Sequence, residues 1–313
     1  MNEQLSDLIA IRDLTRPQIE DLLATAREML PIARRERSSV PTLRGRIICN
    51  LFLEDSTRTR LSFDLAAKRL SADVVQFSAE GSSVTKGESL LDTAETLMAL
   101  GVDLIVLRTS SAGAPAQLAR EVDIPVLNAG DGWHQHPTQA LLDALTMLQH
   151  RETLDDVRVT IVGDILHSRV ARSEVELLRL LGAQLTLVAP PTLLPPDVSR
   201  WGVDVTSDLD EVLPTTDVLY VLRVQRERMH RAFFPSTREY ARIWGIDADR
   251  MRALPKDALL MHPGPVNRGV EVMSSALEDP RSLVNEQVTN GIAVRMACLY
   301  RLLSATPRLE GMS

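Results

Sequence analysis

Arg46-Ile-Ile-Cys-Asn-Leu-Phe-Leu53 runs directly into Glu54-Asp-Ser-Thr-Arg-Thr-Arg-Leu-Ser-Phe63, and this junction decides how the chain is read. The first segment is apolar and strand-like. In the second, Phe63, Ala66, Ala67 and Leu70 recur at helical spacing, so Ser56 to Thr59 fall on the turn where a helix begins. Backbone N–H groups without helical partners converge at such a turn. An oxyanion there meets those donors and the positive end of the helix dipole, worth roughly 0.3 to 1 kcal/mol at an exposed site. Arg58 adds forked, charge-assisted hydrogen bonds. The competing reading is that Ser56 or Thr57 merely caps the helix.

Outward from this junction the pattern repeats. A first helix is signalled by Thr15 as N-cap, Gln18 completing a capping box, and Ile19, Leu22, Leu23 and Ala26 as the buried stripe. Beyond it, strand-like runs at 46–53, 73–77, 103–107 and 124–127 alternate with helical patterns, and a second series follows at 157–162, 184–188, 203–205, 217–222 and 258–261. The alternation predicts an α/β protein of two doubly wound parallel-sheet domains, with an active-site cleft between them. The expected divisions are residues 1–150, 151–289 and a C-terminal helix within 290–313 that packs back on the first domain.

The polar motifs fall just past the predicted strand ends, where parallel sheets bind ligands. Arg108 ends one strand, and its guanidinium suits a phosphate or a polarised carbonyl oxygen. His136-Pro-Thr-Gln139 opens a helix, with proline suited to the first turn and the i, i+3 spacing setting His136 and Gln139 on one face. Gly81 to Glu88 form a small-residue loop carrying Lys86, suited either to plain surface or to closing over a charged ligand. Arg169 follows a Gly163-Asp164 turn, but no further glycine appears until Gly182, so a dinucleotide fingerprint is absent. Arg223, Gln225, Arg226 and Arg228 follow another strand, where Arg223 can meet a carboxylate. His262-Pro-Gly-Pro265 makes a stiff turn whose carbonyls suit an amide or ammonium donor.

Composition bounds the chemistry. The net charge of −7 disfavours general attraction to nucleic acid or anionic membranes, so the arginines read as local anion sites. No apolar stretch is long enough to span a bilayer and Met1 to Leu14 lacks a signal-peptide pattern, so a cytoplasmic location is expected. Two cysteines, Cys49 and Cys298, make neither a disulfide framework nor a metal-ligand set. Arginines, a lysine, a histidine and hydroxyls without a carboxylate dyad or a Gly-x-x-x-x-Gly-Lys-Ser/Thr loop disfavour kinase chemistry. They favour acyl transfer from an acyl phosphate to an amine, with the phosphate held as leaving group and an oxyanion stabilised by Arg108 and His136.

Together, Ser56 to Arg60, Lys86-Gly-Glu88, Arg108, His136 to Gln139, Arg169, Arg223 with Gln225, and His262 to Pro265 resemble the aspartate carbamoyltransferase family over essentially the full length. Ornithine carbamoyltransferases share the first cradle but carry His-Cys-Leu-Pro and Ser-Met-Gly motifs that are missing here. The resemblance implies that carbamoyl phosphate is bound by Ser56, Thr57, Arg58, Thr59, Arg108, His136 and Gln139 with the Gly264 and Pro265 backbone. It implies that Thr59, Arg108 and His136 serve catalysis, and that L-aspartate is held by Lys86, Arg169, Arg223 and Gln225. No metal or organic cofactor is implied. It further implies a homotrimer in which Ser82 and Lys86 come from the neighbouring chain, with room for regulatory chains or dihydroorotase around it, and a Glu54–Arg228 pair that holds a closed state. Asp55, often uncharged in relatives, is expected to point away from phosphate or pair with an arginine. The alternatives are a carbamoyltransferase for another amine such as ornithine, and a non-catalytic phosphate-binding module.

Overall fold

The computed structural model describes residues 5–78, 89–224 and 236–304. Ser82 and Lys86 with the rest of the 81–88 loop, and Gln225, Arg226 and Arg228, lie outside the described residues. Chain contacts divide the protein into two compact units, one built from residues up to 145 together with those from 289 onward, the other from residues 146–288.

In the first unit, helix α1 (Arg16–Ala33) starts at the expected capping box, where Thr15 and Gln18 bond each other's backbone N–H, and it buries Ile19, Leu22, Leu23 and Ala26. Strands β1 (Ile47–Phe52), β2 (Asp73–Ser78), β3 (Leu104–Thr109) and β4 (Val126–Asp131) form one sheet in the order β2-β1-β3-β4, and every neighbouring pair is parallel. Helices α2 (Thr57–Arg69), α3 (Leu90–Ala99), α4 (Ala114–Glu121) and α5 (Pro137–Leu148) make the connections. Cys49, Leu51, Ile105 and Leu107 alternate onto one sheet face and pack with Leu97 and Leu118. Because the chain steps from β1 to β2 on one side and later to β3 on the other, the carboxyl ends of β1 and β3 form a topological switch point.

The second unit repeats this logic. Strands β5 (Arg158–Val162), β6 (Gln184–Val188), β7 (Asp204–Thr206), β8 (Val218–Val221) and β9 (Leu259–Met261) are parallel, in the order β7-β6-β5-β8-β9, which puts the switch point between β5 and β8. Helix α6 (Arg169–Leu180) follows β5, and α7 (Leu209–Val212), α8 (Thr237–Trp244), α9 (Ala248–Ala253) and α10 (Ser274–Leu277) complete the unit. Val162, Leu219, Val221, Met251 and Leu260 belong to its core.

Most strand ends shift by a residue, and three boundaries differ from expectation for a clear physical reason. Strand β4 begins at Val126, not Ile124, since Pro125 has no N–H to donate and contributes only its carbonyl, which accepts from Ile105 N at 3.0 Å. Strand β3 continues to Thr109, so Arg108 lies inside its end. Helix α11 (Val284–Ser304) begins before Asn290 because Asn285, Glu286 and Gln287 interrupt the apolar stripe without breaking the helix, and Gln287 is used instead to accept from His262 N at 2.9 Å. Farther along α11, Arg301 donates to Asp21 Oδ1 (2.6 Å) and Thr25 Oγ1 (3.1 Å) of α1.

Candidate active site

Ser56 is the N-cap of α2, in an extended conformation with φ −163° and ψ 97°, yet its side chain makes no capping hydrogen bond. The capping role that competed for this residue is therefore not the one it takes. Thr57 and Arg58 are exposed, while Ser56 and Thr59 are half-buried. The first-turn N–H groups of a helix have no intrahelical acceptors, which suits this turn to an anion.

Arg108 stands at the end of the adjacent strand, 8% exposed, and donates from one terminal nitrogen to Ala129 O at 3.3 Å. Its Nε is 3.7 Å from Glu54 Oε2, in the turn that leads into α2. Backbone pairing between Leu53 N and Arg108 O (2.8 Å) fixes the two segments together. Glu54 thus has a cationic neighbour within its own unit, whereas its expected partner Arg228 lies outside the described residues. Asp55 is exposed.

The third side of this site is the turn between β4 and α5. Asp131 organises it by accepting from Gly113 N (2.7 Å), Asn128 Nδ2 (3.0 Å), Gln135 N (2.9 Å) and the His134 ring (2.9 Å). Burial opposes ionisation of Asp131, but hydrogen bonds from His134, Gly113 and Asn128 outweigh it and hold the carboxyl below its ordinary range. After this turn, His136 O accepts from Gln139 N (3.0 Å) and Ala140 N (3.4 Å), and His136 and Gln139 are 4% and 8% exposed. Ser56 to Thr59, Arg108, His136 and Gln139 are therefore all carried at strand ends or helix starts of the first unit.

In the second unit, β5 is followed by Gly163 with φ +132°, and a Cβ there would lie 2.8 Å from Leu222 O, so the approach of this turn to the end of β8 requires glycine. Asp164 accepts from His167 N (3.2 Å) and from its ring Nδ1 (2.8 Å), both side chains being buried. Ser168 caps α6 by accepting from Ala171 N at 3.0 Å, and buried Arg169 follows as the first helical residue. Half-buried Arg223 comes just past the end of β8, two residues beyond Val221. In the turn after β9, His262 Nδ1 accepts from Gly264 N (2.8 Å) and its Nε2 is 3.4 Å from Glu271 Oε1. Gly264 has φ +66° and precedes Pro265 through a cis peptide.

Neither cysteine offers a nucleophile, since burial pushes both thiols up to about 12. Among the described residues no group of three or more His, Cys, Asp or Glu is arranged to hold a metal ion, and no helix is long and apolar enough to cross a membrane.

Comparison with known proteins agrees with this architecture on both halves. The family described as aspartate/ornithine carbamoyltransferase, carbamoyl-P binding domain, matches residues 6–149, and its companion, the Asp/Orn binding domain, matches residues 155–302. The chain belongs to the aspartate/ornithine carbamoyltransferase family. Within that family, it is 58% identical over 307 residues to an aspartate carbamoyltransferase catalytic subunit of Thermobifida fusca, covering 98% of both proteins. It is 57% identical over 306 residues to the one of Streptomyces coelicolor, covering 95% of this chain and 94% of that protein. Among solved structures, aspartate transcarbamoylase of Trypanosoma cruzi in complex with carbamoyl aspartate and phosphate is similar with a TM-score of 0.84 and 34% identity, covering 95% of each chain. The catalytic subunit of M. Jannaschii aspartate transcarbamoylase is similar with a TM-score of 0.84 and 35% identity, covering 96% of this chain and 98% of that one. The second family segment takes in most of α11, although residues from 289 onward are compact with the first unit.

Two residues of the first unit escaped the sequence reading. Asp143 and Arg295 are buried polar groups close behind Gln139 and α2. Their signals were an acid four residues after Gln139 on the same helix face, and a single arginine between Val294 and Met296 in an apolar stripe.

Proposed function

We propose that this protein transfers the carbamoyl group of carbamoyl phosphate to the amine of L-aspartate, giving N-carbamoyl-L-aspartate and phosphate, a step of pyrimidine biosynthesis. The observation that carries this reading is the uncapped Ser56 turn beside buried Arg108 at the switch point of the first sheet. That pairing suits an acyl phosphate, since one end of the ligand is a phosphate and the other a carbonyl. The acceptor is supported by the aspartate carbamoyltransferase names of the relatives and by two arginines, Arg169 and Arg223, at the second switch point, which suit a dicarboxylate.

In this reading Ser56, Thr57, Arg58 and Thr59 hold the phosphate. Arg108 and His136, with the Thr59 hydroxyl, donate to the carbamoyl oxygen. Gln139 and the Gly264 and Pro265 carbonyls accept from the carbamoyl amino group, and Lys86, Arg169, Arg223 and Gln225 bind the aspartate carboxylates. The lone pair of the neutral aspartate amine forms the new C–N bond at the carbamoyl carbon, and the C=O electrons move onto oxygen. Stabilising that oxyanion by fixed donors is the main contribution of the protein to the barrier. Collapse of the intermediate breaks the C–O bond to phosphate, which leaves with the electron pair and takes up the amine proton.

The working state in this proposal is a cytoplasmic homotrimer in which Ser82 and Lys86 serve the neighbouring chain. The relatives' designation as catalytic subunits supports an assembly, as do the exposed apolar residues Leu61 (53%) and Leu65 on α2 and Val75 (39%) on edge strand β2. Free, buried cysteines suit a reducing compartment. Mixing inactive Lys86→Ala and Arg58→Ala proteins with subunit exchange is expected to restore part of the activity, and no rescue in verified mixed oligomers contradicts shared sites. The activity itself is tested by incubating the protein with carbamoyl phosphate and either L-aspartate or L-ornithine. Ureido product with aspartate alone is expected, and product with ornithine alone, or with neither, rejects the reading.

A further inference from the structure

Gln139 Nε2 donates to both carboxylate oxygens of Asp143, at 3.2 and 3.0 Å, one turn farther along α5. Asp143 is fully buried. A carboxylate accepts and does not donate, so this contact decides which end of the Gln139 amide faces it: the NH2 points to Asp143 and Oε1 is turned the other way. Asp143 also acts through charge. It acts electrostatically on Arg295 of α11, whose guanidinium burial pulls down to about 10 against the opposing influence of Cys298 and Asp143. Arg295 is itself locked: it donates to Ser62 Oγ at 2.6 Å and Gly291 O at 3.2 Å, and lies over the Phe63 ring at 5.1 Å. Ser62 and Phe63 are on α2, less than two turns beyond the start of the helix at Thr57. One buried arginine therefore ties α11 to the helix that begins at the phosphate cradle, and Asp143 of the helix that carries Gln139 acts on it through charge.

We propose that Asp143 is a positioning and specificity-determining residue that locks the Gln139 amide with its oxygen toward the substrate, so that the site selects an acyl phosphate bearing an amino group. This inference rests on the carbamoyl phosphate reading above. A fixed acceptor bonds the NH2 of carbamoyl phosphate but has nothing to accept from the methyl group of acetyl phosphate, which is otherwise similar in size and charge. A Gln139 amide free to rotate presents either end and discriminates less.

The test uses the full chain with Asp143→Asn, measuring the KM for carbamoyl phosphate and the inhibition constant of acetyl phosphate against it. The expected result is a rise of about tenfold in the first with the second within about twofold. In a Gln139→Ala background the same substitution is expected to add nothing. Equal shifts for both acyl phosphates, no shift in either, or an undiminished effect without Gln139 would overturn the proposal, since a purely structural role moves both ligands together. Removing one of two buried charges that act on each other can prevent folding. The Asp143→Asn, Arg295→Met double variant therefore removes both charges and carries the same readout, and failure of both variants to fold assigns the pair to folding alone and overturns the inference. Wild-type protein that makes no carbamoyl aspartate rejects the functional reading instead, so the two failures are distinct.

Discussion

Each unit has the same strand–turn–helix junction at its switch point, with a serine at the helix N-cap, and the two serines do opposite things. Ser168 accepts from Ala171 N and closes the start of α6, whereas the Ser56 side chain leaves the start of α2 without a cap. The difference follows from what each junction offers a ligand. In the second unit the cap is satisfied internally and the charge comes from the side chain that follows it, buried Arg169, and from Arg223 beyond β8. In the first unit, under the proposed function, the backbone donors and hydroxyls of the turn are themselves the anion site, and Arg108 adds charge from the next strand. Backbone donors suit the phosphate that every turnover releases; side-chain cations suit the carboxylates that define the acceptor.

The contrast can be broken at its two arginines first. Arg108→Ala is expected to lower kcat by about 10²- to 10³-fold, the scale for losing one oxyanion donor, with the KM for aspartate little changed. Arg223→Ala is expected to raise the KM for aspartate by about ten- to a hundredfold while carbamoyl phosphate binding stays within about twofold. Steady-state kinetics in each substrate checks both, and an exchange of the two patterns contradicts the division of labour. A smaller effect sharpens the comparison at the serines. Ser168→Ala removes a cap and is expected to cost about 1 kcal/mol of stability, read as a lower Tm. Ser56→Ala is expected to leave the Tm unchanged and to weaken carbamoyl phosphate binding by about fivefold. Thermal melts of the two variants, with the KM for carbamoyl phosphate, separate the roles; a matching loss of Tm in both shows that Ser56 is a cap after all.

Much of this was legible in the sequence because strand ends and helix starts carry local signals. The apolar run into Ser56, the proline after His136 and the capping box at Thr15 are each written in consecutive residues. What stayed hidden depends on neighbours distant in sequence. Whether Ser56 caps its helix is a matter of side-chain rotation that composition does not encode. Glu54 reaches Arg108 across the β1–β3 pairing, 54 positions later in the chain, and Arg295 reaches Ser62 from the last helix. Asp143 could have been found from its i, i+4 relation to Gln139, but Arg295, on which its charge acts, is visible only once α11 is packed. The start of α11 was missed because a helix that turns a polar residue such as Gln287 into a buried hydrogen bond no longer shows an apolar stripe.

In the proposed function the hydroxyl-and-backbone cradle and the two arginines serve one reaction between a phosphate-bearing donor and a dicarboxylate acceptor. N-(phosphonacetyl)-L-aspartate joins both halves in one molecule, and a T. cruzi relative has been solved with it bound. Calorimetric titration of this compound into the wild-type, Arg58→Ala and Arg223→Ala proteins tests the claim most directly. Binding far tighter than that of phosphate or aspartate alone, weakened by each substitution, is expected; an affinity no better than that of phosphate, or one indifferent to Arg223, rules out a shared reaction.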